Sequence, residues 1–332
     1  MTASLRSAAT ITAIGTYVPE RVLTNADLEQ MVETSNEWIV QRTGIVERRI
    51  AAENEYTSDL CIAAVRDLVE RYGAELSDVD YILTATSSPD AVFPSMSAMV
   101  QSAFGIPACG AADLQAACAG FVAALQLANG LILSGAHRKI LVIGAETLSR
   151  ITDYTDRTTC ILFGDGAGAV LVEAAKRAEA GIFEGTYTMT EGALGKHLYR
   201  SALSPSIGGS DIAANGLIVQ NGREVYKWAV TRVPEGVKRM LDDASLTPGD
   251  IDWFVPHSAN LRMIESICER TGIPLERTLA SLVHYGNTSA ASIPLALDGA
   301  VKDGRLRRGQ RVLLYGFGGG LTQAGLLVRW PI

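Results

Sequence analysis

Four short stretches of the sequence carry residue types suited to nucleophilic chemistry. Cys118, in "DLQAACAGF", follows a strand-like segment and heads a long helical run. A thiol at a helix N-terminus meets the positive end of the macrodipole and free main-chain N–H groups, which favour the thiolate. His257, in "WFVPHSANLR", follows an apolar strand and Pro256 and is trailed by Asn260 and Arg262, a polar cluster at a strand end. Asn287, in "HYGNTSAAS", follows Gly286 at the turn into a second long helix, where an N-cap is the plain structural role. The run "GFGGG" at 316–320 is either a loose turn or a place where main-chain N–H groups come close to a reacting oxygen. Taken singly, an inert buried cysteine and a structural histidine are the ordinary readings. The cysteines at 61, 109, 160 and 268 keep that reading, because none has the strand–turn–helix setting of Cys118.

The run that Cys118 heads has no charged residue from Leu114 to Ala136, long enough to raise a membrane span. Gln115, Gln126, Asn129, Gly120 and Gly130 argue against one, and "SGAHRK" closes the segment as a helix C-terminus would. A core helix is expected instead. The chain of 332 residues is 48% hydrophobic and 20% charged, a globular composition. Its net charge of -7 leaves no overall basic footprint for nucleic acid, so any basic patch must be local and suited to a small anion or an acidic partner. The five cysteines form no C-x-x-C pair and no zinc-like cluster with histidine, so no metal is expected. Their odd count and an opening stretch, "MTASLRSAATITAIGTYVPERVL", with no sustained apolar run point to a cytoplasmic protein whose first strand lies in that stretch.

What positions these residues is a repeated unit. "LSDVDYILTATSS" echoes "PGDIDWFVPHSAN", and "RKILVIGAE" echoes "QRVLLYGFG". Asp78 and Asp250, Asp80 and Asp252, Ile140 and Val312, and Gly144 and Gly316 all stand 172 residues apart. An offset of half the chain, without gaps, predicts two copies of one α/β unit, with halves at 1–175 and 176–332. Strands "KILVIGA" and "RVLLYGF" are apolar on both faces, as strands between helix layers are. The copies differ where chemistry would sit: Ala85 corresponds to His257, and Cys118 to Ala290. Ligand groups gather beyond the C-terminal ends of such strands.

"FGDGAGAVLV" formally matches the dinucleotide fingerprint G-x-G-x-x-A at Gly164, Gly166 and Ala169. That fingerprint needs a helix next, and "AVLVE" reads as a strand, so a glycine hairpin between "TTCILF" and "GAVLV" is expected.

Together, "DLQAACAGF", "VPHSANLR", "YGNTSAAS", "RTTCILFGDGAGAVLV" and "GFGGGLT" resemble the β-ketoacyl-acyl carrier protein synthase III family of the thiolase superfamily, over essentially the whole chain. The resemblance implies a duplicated, five-layered αβαβα fold with two buried mixed sheets, usually a homodimer. It implies that Cys118 takes an acyl group from acyl-CoA, with no bound cofactor. His257 and Asn287 would then bind the thioester carbonyl of malonyl-acyl carrier protein as CO2 leaves. The main-chain N–H groups of Cys118 and Gly319 would form the oxyanion hole. Trp38 and Arg157 match positions that sandwich the CoA adenine, Thr34 and Arg42 match others near adenine and phosphates, and Asn260 matches one close to the catalytic pair. Lys227 and Arg262 match basic positions that meet the acidic carrier protein. Phe163 and Phe317 match the acyl pocket, and Phe93 a residue that reaches the partner subunit's pocket.

The sequence departs from the commoner family pattern at Asn36 in "TSNEW", Ser258 in "PHSAN", Tyr285 in "HYGNTS" and Gln323 after "GGGLT". By analogy Ser258, Tyr285 and Gln323 lie near the acyl tunnel or its mouth and bear on the preferred acyl donor. Two other functions share the resemblance: an acyltransferase that moves the acyl group to a non-malonyl acceptor, and a non-catalytic acyl-binding subunit. The intact Cys118, His257 and Asn287 set argues against the second.

Overall fold

The computed structural model describes residues 7–176 and 181–332; the first six residues of the opening stretch lie outside it. Nine strands build two mixed sheets. In the first sheet are β1 (Ala9–Tyr17), β2 (Tyr81–Ala85), β3 (Gly110–Leu114), β4 (Lys139–Thr147) and β5 (Asp165–Ala174), side by side in the order β1-β5-β4-β2-β3. In the second are β6 (Phe183–Thr190), β7 (Trp253–Pro256), β8 (Arg311–Gly318) and β9 (Thr322–Arg329), in the order β7-β8-β9-β6. In the first sheet β3, β2 and β4 run parallel, and in the second the edge strand β7 runs parallel to β8; the remaining neighbours pair antiparallel.

The 172-residue offset holds in the hydrogen-bond register itself. Tyr81 faces Ile140 and Ile82 faces Leu141; Trp253 faces Val312 and Phe254 faces Leu313. The copies diverge at the sheet edge, where the counterpart of β3 shrinks to one bridge between Phe254 and Thr278.

Helices fill three layers around the sheets. Helix α1 (Thr57–Tyr72) covers the outer face of the first sheet, burying Leu60, Ala64, Val65 and Leu68 at its 3–4-residue spacing. Helices α3 (Gly222–Asp243) and α4 (Leu261–Thr271) cover the second through Val233, Val237, Ile264 and Ile267. Between the sheets lie α2 (Gly120–Leu133) and α5 (Ser292–Lys302), each entered through one turn of 3-10 helix, Ala117–Ala119 and Ser289–Ala291. The order is helix, sheet, helix, sheet, helix, which is the five-layered thiolase-like arrangement.

The uncharged run is thus mostly core: Phe121, Val122, Ala124, Leu125 and Ala128 are fully buried. Its polar residue Gln126 is satisfied, because Nε2 donates to Thr186 Oγ1 (2.7 Å) and Gly325 O (2.8 Å). One side of α2 still reaches the surface, with Leu127 48% and Leu133 43% exposed, so the helix is not enclosed all round. No helix among the described residues is long and apolar enough to cross a membrane.

One expected strand does not form. "TTCILF" is a series of turns, held by Thr159 N and Cys160 N donating to Asp156 O and by the Asp156 carboxylate accepting from the hydroxyls of Thr158 and Thr159. Asp and Thr in that pattern offer the backbone local partners that compete with a sheet ladder. The "GAVLV" segment is strand β5, so the glycines at 164 and 166 lead into a strand and no dinucleotide-type helix follows.

Candidate active site

The two helix starts between the sheets share one backbone shape. Ala117 has φ 44° and Ser289 φ 46°, left-handed values that a residue with a Cβ seldom adopts, at equivalent places in the two copies. Each turns the chain abruptly from a strand-end loop into the central helix. In the first copy the next residue is Cys118; in the second it is Ala290.

The glycine run clears room around the thiol. A Cβ on Gly318 would stand 2.9 Å from Cys118 Sγ and 3.2 Å from its main-chain N, so only glycine fits there. Gly319 lies beside it, facing Ala117 and Leu198.

His257 leaves the end of β7 with its Nδ1 at 2.8 Å from Ser292 Oγ, which leaves Nε2 as the ring nitrogen for a ligand. Phe317 packs edge-on against the ring, with centroids 5.4 Å apart. Asn287 is clamped through its main chain, N–H donating to Leu162 O (2.8 Å) and O accepting from Gly164 N (3.1 Å). Its Oδ1 accepts from Ser289 N (2.9 Å). The amide Nδ2 is therefore the end turned to other partners, and the N-cap-like bond expected of this asparagine coexists with that role.

Cys118, His257 and Asn287 all line one cleft of about 1030 Å³, although they are only 8%, 1% and 7% exposed. Gly319, Phe163, Phe317, Trp38, Arg42, Asn260 and Arg262 line it too. The cleft runs from buried apolar walls to a mouth carrying arginines, a shape for a long ligand with an anionic end.

Burial dominates the electrostatics. It pulls His257 down to about 3, so the imidazole is neutral at pH 7. Burial likewise pushes the Cys118 thiol up to about 12; a Ser289 hydrogen bond opposes this, and the Glu146 carboxylate adds to it. The helix N-terminus favours the thiolate by up to about 2 kcal/mol, and burial of the sulfur at the bottom of the cleft acts against it. Glu146 is itself fully buried, its carboxylate accepting from Ser87 N (3.0 Å) and Ser88 Oγ (2.5 Å), and burial raises it.

The remaining expected residues divide. Trp38 sits in a helix (Asn36–Thr43) capped by Ser35, with the Arg42 guanidinium 5.1 Å and that of Arg157 5.5 Å from its ring centroid. Arg157 stacks on the ring directly and donates to Glu33 O (3.1 Å), so it lies outside the cleft wall and the expected slot for a flat base between the two is closed. Thr34 does not line the cleft either; its hydroxyl is enclosed without a partner. Asn260 lines the cleft yet spends its Oδ1 capping α4, accepting from Arg262 N (2.8 Å) and Met263 N (3.4 Å). Arg262 is tied to Glu265 (2.8 Å) and Gln41 O (2.8 Å). Lys227 is exposed on α3, away from the cleft wall. Phe93 is 83% exposed beside Val92 at 88%, on a protruding loop.

None of Ser258, Tyr285 and Gln323 lines the cleft. Ser258 is buried with Oγ accepting from Ser281 N (3.0 Å), and Gln323 Oε1 accepts from Tyr315 OH (2.8 Å) in the second core. They stand beside lining residues, Ser258 between His257 and Ala259 and Tyr285 two residues before Asn287, without forming the wall themselves. Missed by the sequence reading were Ser289, Ser87, Arg200 and Arg223, all of which line the cleft. Ser289 was reachable, since it stands 172 residues from Ala117; Arg200 and Arg223 had no signal beyond isolated charge in polar stretches.

Comparison with known proteins agrees with this architecture. A family profile described as 3-oxoacyl-[acyl-carrier-protein (ACP)] synthase III matches residues 112–192, and the C-terminal profile of the same family matches residues 241–330. The chain is 60% identical over 324 residues to beta-ketoacyl-[acyl-carrier-protein] synthase III 2 of Bacillus subtilis, covering 98% of this chain and 99% of the relative. To the protein of the same description from Halalkalibacterium halodurans it is 59% identical, covering 98% of each. The crystal structure of a β-ketoacyl-[acyl carrier protein] synthase III from Thermus thermophilus superposes with a TM-score of 0.92 at 47% identity, covering 97% of this chain and 99% of the other.

Proposed function

The chain belongs to the 3-oxoacyl-[acyl-carrier-protein] synthase III family, and from that premise we propose how its own residues carry out an initiating, decarboxylating condensation. The observation that carries the reading is the meeting of Cys118, His257 and Asn287, contributed by different copies of the unit, in one cleft with a basic mouth. The substrates are an acyl-CoA starter and malonyl-acyl carrier protein, and the products are 3-oxoacyl-acyl carrier protein, CoA and CO2.

In the first half-reaction the Cys118 sulfur attacks the acyl thioester; a carbon–sulfur bond forms to Cys118, the bond to CoA breaks, and the thiol proton ends on CoA. Main-chain N–H groups of Cys118 and Gly319 hold the developing oxyanion. Burial raises the Cys118 thiol, so its proton leaves in the course of the attack. In the second half-reaction CO2 leaves the malonyl group and the carbanion attacks the acyl carbon, freeing Cys118 with uptake of one proton. Asn287 Nδ2 and His257 Nε2 donate hydrogen bonds to the malonyl thioester oxygen as it becomes an enolate, His257 being neutral by burial and in the tautomer whose Nδ1 accepts from the Ser292 hydroxyl (2.8 Å). Neutral donors in a water-poor pocket stabilise that charge without first having to lose a proton of their own.

Arg42, Arg262 and Asn260 at the cleft mouth would meet the carrier's phosphates, with Trp38 and Arg157 as the adenine platform once Arg157 swings off the indole. Arg262 and Lys227 would meet the acidic carrier protein. Phe163 and Phe317 would bound the acyl chain, and Phe93 would complete the pocket of a second copy in a homodimer. The halves would meet at 175/176.

Incubation with acetyl-, isobutyryl- and hexanoyl-CoA followed by intact mass measurement should show one acyl adduct, absent from Cys118→Ala. An adduct that persists in that variant removes Cys118 from its role. Addition of malonyl-acyl carrier protein should then release CO2; turnover without CO2 would instead support an acyltransferase with a non-malonyl acceptor.

A further inference from the structure

Behind the cleft wall lies a fully buried arginine that, among the described residues, has no carboxylate in ion-pair contact. Arg48, in the strand Glu47–Ile50, has no exposed surface, and the ionisable groups that act on it are the Cys160 thiol and the Tyr154 phenol. Burial pulls its guanidinium down to about 10, so it remains charged at neutral pH. Isolated buried cations are disfavoured unless their donors are satisfied. Those of Arg48 are aimed at two places: Nη1 donates to Asn25 Oδ1 (2.7 Å), while Nε (3.2 Å) and Nη2 both donate to Ile161 O.

The Ile161 carbonyl begins the segment that clamps Asn287. Leu162 O accepts from Asn287 N, Asn287 O accepts from Gly164 N, and Phe163 forms a parallel bridge with Asn287. The apolar stem of Arg48 presses on the same two strips of chain. A Cβ on Gly286 would come within 2.9 Å of Arg48 Cγ, and one on Gly164 within 3.2 Å of Arg48 Cβ. The guanidinium therefore holds one side of the clamp and the stem supports both.

We propose that Arg48 is a positioning residue for Asn287, fixing the Ile161–Gly164 segment so that the asparagine amide is held in the cleft. The inference rests on the reading of Asn287 as a group of the second half-reaction. Its consequence is selective: loss of Arg48 loosens the decarboxylating step and largely spares loading of a short acetyl group, because Cys118 is positioned by the glycine run of the other strand, while Phe163 ties this segment to longer acyl chains and not to the sulfur.

The test compares the two half-reactions in Arg48→Met, which keeps most of the stem, in Arg48→Lys, which keeps the charge but not the fork on Ile161 O, and in Asn287→Ala. Acyl loading is read by mass after mixing with acetyl-CoA, and CO2 release by supplying malonyl-acyl carrier protein to the loaded enzyme. Arg48→Met is expected to slow CO2 release by about 10-fold to 100-fold, the scale on which small misplacements act, with loading nearly unchanged. Arg48→Lys should recover part of the loss. If Arg48→Met does not fold, Arg48→Lys carries the same test with a smaller effect of the same selectivity, as does Asn25→Ala, which removes the Nη1 acceptor together with the Asn25 Nδ2 bonds to Asn36 Oδ1 (3.0 Å) and Ile45 O (3.0 Å). Folded variants in which both half-reactions fall together, or neither falls, overturn the proposal. Normal CO2 release in Asn287→Ala overturns the reading of Asn287 itself, an outcome separate from failure of the arginine variants alone.

Discussion

The two helix starts at the centre of the molecule are the same piece of backbone with different chemistry. Ala117–Ala119 and Ser289–Ala291 each turn through a left-handed residue into a central helix, and each lies against a glycine of the opposite sheet. A Cβ on Gly144 would collide with Ala290 O, and one on Gly316 would stand 2.9 Å from Cys118 O. Only one start bears a nucleophile, and only the other copy's strand-end loop, at His257, bears an imidazole. Once a duplicated frame guarantees geometry, each copy is free to lose what its twin supplies. The shape belongs to both halves, and the reactivity is divided between them.

The largest test of that division is Cys118→Ala combined with Ala290→Cys, which places the thiol at the equivalent start. Acyl loading should vanish in Cys118→Ala and stay absent in the double variant, since Ala290 faces Gly144 on a buried strand and has no glycine run. An acyl adduct on the relocated thiol, found by mass, would break the comparison. Next in size, His257→Ala should retain loading while CO2 release falls by about 100-fold or more, the scale for removing a preorganised donor. Paired rates by mass and by CO2 measurement check it. Smaller, Gly144→Ala and Gly316→Ala should each destabilise the fold by about 1–3 kcal/mol through overpacking, as read by thermal melts. Only Gly316→Ala should also slow loading, because only it moves Cys118.

A final effect is in pH. His257 is held at about 3 in the folded chain, against 6.5 when free, so the unfolded chain binds the extra proton first. Its contribution to stability is complete above about pH 6.5 and is lost as pH falls toward 3. His257→Gln should accordingly lose less melting temperature than the parent between pH 6.5 and 4.

Much of this arrangement was legible in the chain. A gapless 172-residue echo forces equivalent strands into equivalent registers, and Cys118, His257 and Asn287 fall where the echo places strand ends and helix starts. What escaped depends on contacts between distant segments. "TTCILF" has strand-like residues, but Asp156 captures its amide and hydroxyl groups locally. Arg157 reads as half of a stacking pair, yet whether the pair stands open is decided by its bond to Glu33 O, 124 positions away. Ser258 and Gln323 sit next to site motifs in the sequence, while a loop bond to Ser281 N holds the first and the pleat of β9 turns the second into the packing behind it. Arg48 shares a strand face with Ile50 in "ERRI", which marks it as the inward arginine of the pair, but its partners Asn25 and Ile161 lie 23 and 113 positions away.

The reciprocal contact of Gly144 with Ala290 and of Gly316 with Cys118 has the form of an isologous interface: position i of one copy meets j of the other, and j meets i. That is the signature of a two-fold axis between identical partners, here passing through one polypeptide. Joined covalently, such partners associate at an effective concentration set by their linkage and not by expression level. The reactive sulfur and the groups that answer it therefore never dilute apart, and each copy could change at the axis without having to remain compatible with itself.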